Sequence, residues 1–226
     1  MPRRRTYHHG NLAAALVEAA TELLETRGPL GVTLRGAARR AGVSRAAPYR
    51  HFTNKGALLA AVAERAFRDV ARAMRRAARS RRTDPIRALE DMAVALVRFA
   101  ATHPSHFRLM SGPAVRGRDH PALREAAVTA WNILTAAVAD CQRAGRIRPG
   151  DPAELAFVLW SLVHGLSTLL VDEQLPPPVR QAWGPAELAK AATEVLFEGL
   201  AARGRSPGAP PPLSPRSPRR RRARRP

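Results

Sequence analysis

Downstream of Ser44 the chain sets out Arg45, Ala46, Ala47, Tyr49, Arg50 and His51 in close succession, with Lys55 shortly after and Thr33 before. The chemistry open to this set is hydrogen bonding and charge neutralisation rather than bond making. Guanidinium groups fork onto phosphate or base acceptors, a phenol and an imidazole add single donors, and alanines let a backbone come close to a thymine methyl. Such a surface suits the major groove of DNA, with Arg45 and Arg50 on bases or nearby phosphates and Lys55 on the backbone. Nothing comparable points to catalysis: no nucleophile stands beside a base, and no glycine loop could cradle a phosphate. His8 and His9 are adjacent but have no further His or Cys at ligand-like spacing nearby, so neither a metal nor a cofactor is expected. The single cysteine, Cys141, reads as a small core residue and fits a reducing cytoplasm.

These side chains need elements to hold them. Thr33 is placed to cap a helix whose inner face is Leu34, Ala37, Ala38 and Ala41. Gly42 supplies the positive φ of a turn, Val43 sets one apolar side chain in the bend, and Ser44 is the next cap, opening a helix through His51 before Phe52 returns to the core. Pro48 breaks the local rule. Its missing N–H and its restriction of Ala47 predict a stiff start, either a tight 3₁₀ turn or a helix beginning only at Ala47. Upstream, a helix from Asn11 to Arg27 carries Leu12, Leu16, Ala19, Ala20, Leu23 and Leu24 on one face and stops at Gly28-Pro29. Downstream, Asn54 caps a long helix with Leu58, Leu59, Val62, Ala66, Phe67, Val70 and Met74 inward. Its later arginines, from Arg72 to Arg82, read as a solvated face.

TLRGAARRAGVSRAAPYRHFTNKGALL, preceded by YHHGNLAAALVEAATELL, closely resembles the DNA-binding domain of the TetR (tetracycline repressor-like) family over about residues 7 to 70. The family usually has Leu or Ile where Pro48 stands and Glu where Gly56 stands. The resemblance implies phosphate contacts for Lys55, Tyr49 and His51, a homodimer, and a regulator that is usually a repressor.

The rest of the chain has the punctuation of a helical bundle. Asp84-Pro85 opens a helix that His103-Pro104 ends, and Ser105 caps a short turn holding Phe107 and Met110. A loop spans Val115 to Asp119, and a helix from Pro121 closes at Gly145. Asp151-Pro152-Ala153-Glu154 is a capping box that opens a helix over about 152–172, apolar nearly all round. Such a helix must be covered on both sides. A last helix over about 185–203 offers Leu188, Ala192, Val195, Leu196 and Leu200 as a companion stripe, so the two can form a four-helix contact with a two-fold mate. Within the first of them, WSLVHG sets Trp160 four residues before His164 and resembles the Trp-His-Gly (WHG) type of C-terminal domain of one TetR branch. Residues 204–226, rich in Pro then Arg, read as a disordered tail.

The formal charge of +20 is unevenly spread: +13 over residues 1–83, −2 over 84–202 and +9 over 203–226. A polyanion partner is therefore expected at the ends. No hydrophobic anchor or lipidation motif favours a membrane. The expected fold is all-α, with about nine helices. A basic arm (1–6) precedes a three-helix helix-turn-helix DNA-binding domain (7–70). A helical-bundle domain for effector binding and dimerisation (71–203) follows, and then the tail (204–226). The expected function is that of a cytoplasmic, homodimeric transcription regulator on double-stranded DNA. Its half-sites on a palindromic operator would lie about 34 Å apart or slightly more. A small apolar effector would release it, in a pocket walled by Phe99, Phe107, Met110, Trp131, Trp160 and His164. The competing expectation is an architectural, sequence-tolerant DNA binder using both basic ends.

Overall fold

A computed structural model describes residues 12–80, 84–115 and 120–200. The basic arm, the His8-His9 pair, Arg81 and Arg82, most of the loop after Val115 and the Pro/Arg tail lie outside the described residues. Among the described residues there are nine α-helices, two 3₁₀ helices and no strand.

Helix α1 (Leu12–Gly31) buries Leu16, Ala19, Ala20, Leu23 and Leu24 on one face. Gly28 interrupts it at φ 65°, a conformation that costs glycine little, and Pro29 follows, so the expected stop is a sharp break followed by one more turn. Helix α2 (Leu34–Arg40) crosses α1, and α3 (Lys55–Ser80) packs against both α1 and the body of the molecule. Asn54 caps α3 by accepting from the Ala57 amide at 2.9 Å. The body is built from α4 (Pro85–Thr102), α5 (Pro104–Ser111), α6 (Pro121–Arg143), α7 (Pro152–Val171), α8 (Pro177–Ala182) and α9 (Pro185–Leu200). Asp84 and Asp151 accept from the amides of Arg87 and Ala153, each with proline at the first helical position. Gly145, at φ 64°, ends α6: its amide donates to Gln142 and that of Arg146 to Cys141.

Two apolar cores result. One joins α1, α2 and the first half of α3, including Leu24, Ala37, Phe52 and Val62, and takes in Leu109 of α5 and Leu123 of α6. The other joins the second half of α3 to α4, α6, α7 and α9 through Met74, Leu89, Val97, Val138, Leu159 and Phe197. The expected domain boundary at residue 70 thus falls inside one continuous helix that serves both cores. Cys141 is fully buried in the second core, and desolvation pushes its thiol pKa up to about 12, which leaves it inert.

Several local expectations need correction. Ser44 does not cap a helix through His51. The chain makes a turn at Arg45-Ala46 and a four-residue 3₁₀ helix, Ala47–Arg50, with Ala46 at its N-cap and no side-chain capping bond. Ser105 is not a cap but lies within α5, because Pro104 pre-sets the first turn and His103 takes the cap position. Helix α8 was not anticipated. The inner face of α9 is Ala186, Leu188, Ala189, Thr193 and Phe197, so of the stripe expected to meet a two-fold mate Leu188 is buried within the protomer, while Val195 is 71% exposed. The buried Thr193 hydroxyl is satisfied by the Ala189 carbonyl at 2.8 Å.

Candidate nucleic-acid interface and interior cavity

The exposed turn after Ser44 is fixed from beneath. Thr33 accepts from the Gly36 amide at 2.9 Å, and a Cβ on Gly36 would stand only 2.8 Å from that Thr33 oxygen, so the cap and the glycine require one another. Gly42, at φ 71°, then turns the chain: its amide donates to Arg39 and that of Val43 to Ala38 at 3.0 Å. Pro48 is fully buried, and its carbonyl accepts from both His51 and Phe52, so the ring that prevents an α-helix also anchors the turn in the core.

With Pro48 and Phe52 inward, Thr33, Arg45, Ala46, Tyr49, Arg50 and His51 are exposed, Tyr49 by 55%, while Ala47 is half-buried. Arginines further back are engaged: Arg40 with Glu22 and Arg65 with Glu18. Among the described residues Arg45 and Arg50 have no carboxylate partner, so both guanidinium groups of the turn are available to a ligand. The Lys55 ammonium donates to the Leu30 carbonyl at 3.1 Å, which leaves two of its three donors and positions it beside the same surface.

In the body a cavity of about 630 Å³ lies between α3, α4, α6 and α7. Phe107, Met110, Trp131, Trp160 and His164 line it with Met74, Met92, Leu134 and Val163. Phe99 does not. It faces a different cleft, 5.2 Å ring to ring from His103. The cavity wall has no Asp, Glu, Lys or Arg; Ser111 and His164 are its polar points apart from the indoles. His164 stacks on Trp160 (4.9 Å, 26°) and meets Phe107 at 5.1 Å, and burial holds its imidazole below the ordinary histidine pKa. A neutral imidazole at this point offers one donor and one acceptor to an otherwise apolar guest.

A second cluster escaped the sequence reading, which expected no metal-ligand group. Glu25, His103 and His106 bring one ligand-type atom each to within 4.8 Å of one another. Glu25 comes from α1 and the histidines from the α4–α5 junction, so docking of helices rather than sequence proximity assembles the group. His103-x-x-His106 was the one readable trace of it.

Helix α7 is long and apolar enough to cross a bilayer by length and composition, but here it packs against α4, α6 and α9. Its outer face stays uncovered in the protomer: Phe157 is 57% exposed, Val158 and Leu169 are exposed, and nothing comes within 4 Å of where a Gly165 Cβ would stand.

Residues 16–62 match the family model described as "Bacterial regulatory proteins, tetR family", and residues 89–196 match "Tetracyclin repressor-like, C-terminal domain". No curated protein matches the chain. Among solved structures, a protein of unknown function from Rhodococcus sp. RHA1 is 33% identical, over 88% of this chain and 100% of that one, with a TM-score of 0.77. The TetR-family transcriptional regulator PfmR from Thermus thermophilus is 22% identical over 81% and 97%, with a TM-score of 0.58. The fatty acid degradation regulator FadR from Bacillus halodurans is 14% identical over 84% and 97%, with a TM-score of 0.68. At these identities the last two share the fold.

Proposed function

Because the chain belongs to the TetR family of DNA-binding transcriptional regulators, we propose that it is a homodimeric repressor released from a palindromic operator by a small apolar effector. The observation that carries the reading is the pair of exposed arginines without carboxylate partners on a turn that buried Pro48 anchors in the core. Arg45 and Arg50 stand out from a 3₁₀ helix pinned by buried Pro48, with Tyr49, His51, Thr33 and Lys55 around them. In this reading Arg45 and Arg50 reach base edges or adjacent phosphates, Tyr49, His51 and Lys55 hold phosphate, and Ala46, with half-buried Ala47 behind it, permits close approach.

The uncovered face of α7, with exposed Val195 of α9, supports a two-fold contact through these helices, since an apolar surface of this kind is stable in water when a second copy covers it. The cavity supports an effector that is mostly hydrocarbon with one hydrogen-bonding group directed at His164 or Ser111. The protein acts in the cytoplasm, as a regulator rather than an enzyme.

Genomic fragments retained by the purified protein, once sequenced, should share a palindrome. Replacing Tyr49 and Arg50 by Ala should abolish the specific footprint and leave a folded dimer. Retention of the footprint would overturn the contact assignment. The charge of +13 at one end and +9 at the other favours the architectural reading instead. That reading requires equal affinity for operator and random duplex at moderate salt.

A further inference from the structure

We propose that Glu25, His103 and His106 form a binding site for Zn²⁺ or a neighbouring first-row divalent cation, and that the ion braces the DNA-reading half of the chain against the bundle. Glu25 Oε1 lies 3.6 Å from His103 Nδ1 and 3.8 Å from His106 Nδ1. Ligands about 2.1 Å from a tetrahedral zinc stand about 3.4 Å apart, so small side-chain rotations suffice to close the set.

The separations are too long for hydrogen bonds, and His106 shows it. Its side chain is only 8% exposed, yet its Nδ1 has no hydrogen-bond partner and points toward the Glu25 carboxylate. A buried, unpaired ring nitrogen costs free energy that a bound cation would recover.

The surroundings suit a fourth ligand. The three side chains open on a cleft of about 140 Å³, also lined by Asp69, by Arg65, whose guanidinium is paired with Glu18, and by Thr21, whose buried hydroxyl likewise has no partner. A metal-bound water there would have Thr21 to bond. Two imidazoles and one carboxylate favour zinc, cobalt or nickel over calcium or magnesium, which take oxygen donors.

The position gives the ion a structural effect. Glu25 belongs to α1, while His103 and His106 open α5, whose Leu109 packs into the N-terminal core and whose Phe107 faces Val171 of α7. A cation shared between α1 and α5 would therefore fasten the reading head to the helix leading to the cavity.

The test uses the tag-free full chain in the absence of DNA, so that its outcome is independent of the repressor reading. Dialysis against Zn²⁺ should leave one ion per protomer, Co²⁺ should give the visible absorption bands of a low-coordinate site, and Zn²⁺ should slow amide exchange at the end of α1 and the start of α5. Glu25→Gln and His103→Gln, both at exposed positions, should each weaken Zn²⁺ binding at least about tenfold with an unchanged circular dichroism spectrum. A double His8→Gln/His9→Gln variant should bind as the parent does. Absence of bound Zn²⁺ at about 100 μM, undiminished affinity in Glu25→Gln and His103→Gln, or loss confined to the His8/His9 variant would overturn the site. Stoichiometric binding with unchanged amide exchange would overturn the brace.

Discussion

Lys55→Gln offers a quantitative test of the reading head. Each Lys55 keeps two donors beyond its bond to the Leu30 carbonyl, and a dimer carries two such ammonium groups. If each neutralises one phosphate, removing both charges lowers the slope of log affinity against log salt by about 1.8, from 0.9 per phosphate. Between about 50 and about 200 mM salt, the affinity advantage of the parent protein then shrinks about twelvefold. The lost bond to Leu30 is exposed and contributes at most about 1 kcal/mol, a shift of a few degrees in Tm, so the variant remains folded. The assay is fluorescence anisotropy on an operator duplex across a salt series, with Lys55→Arg as the variant that should restore the slope. An unchanged slope in Lys55→Gln would refute a phosphate contact at this position, whatever its effect on affinity.

Thr33→Ala removes the α2 cap and should cost about 1 kcal/mol, lowering Tm by about 2–4 °C, while Thr33→Ser should melt close to the parent. Leu169→Glu on the outer face of α7 should place an unpaired carboxylate in the dimer contact. At a cost of at least about 2 kcal/mol it should raise the dimer dissociation constant roughly thirtyfold or more, read by sedimentation. His164 should make occupancy of the cavity pH-dependent. Because its folded pKa lies below the ordinary 6.5, affinity for a neutral apolar fluorophore should hold steady above that value and fall as pH drops through the folded pKa. The unfolded chain takes up this proton first, so stability should also decline as pH falls below 6.5, and less so in His164→Phe.

What could be read from the chain alone was what short-range chemistry decides. Thr33, Asn54, Asp84-Pro85 and Asp151-Pro152 start helices because a side-chain oxygen or a pre-set φ acts within one turn, and Gly42 and Gly145 end them because a positive φ suits glycine. Where a tertiary contact decides, the reading failed. The missing N–H of Pro48 and its restriction of Ala47 predicted the 3₁₀ turn that forms at Ala47–Arg50, but not that the ring itself would be buried in the core. Phe99 and Phe107 sit on neighbouring elements with equal claims to the cavity, yet the orientation of α4 sends Phe99 to the Glu25 cleft. On α9 the inner face was not read, because Thr193, polar by type, is buried once its hydroxyl returns to the backbone, one turn before the buried Phe197.

The single span of α3 has a mechanical consequence. From Lys55, beside the reading turn, to Met74, in the cavity wall, the helix runs about 28 Å without a break. A guest that tilted the helix by about 5° about its Met74 end would swing the Lys55 end through roughly 2.5 Å, close to the length of one hydrogen bond. In a two-fold pair both ends swing, so a tilt of about 5° at the cavity becomes a mismatch of up to about 5 Å in the stride between two grooves.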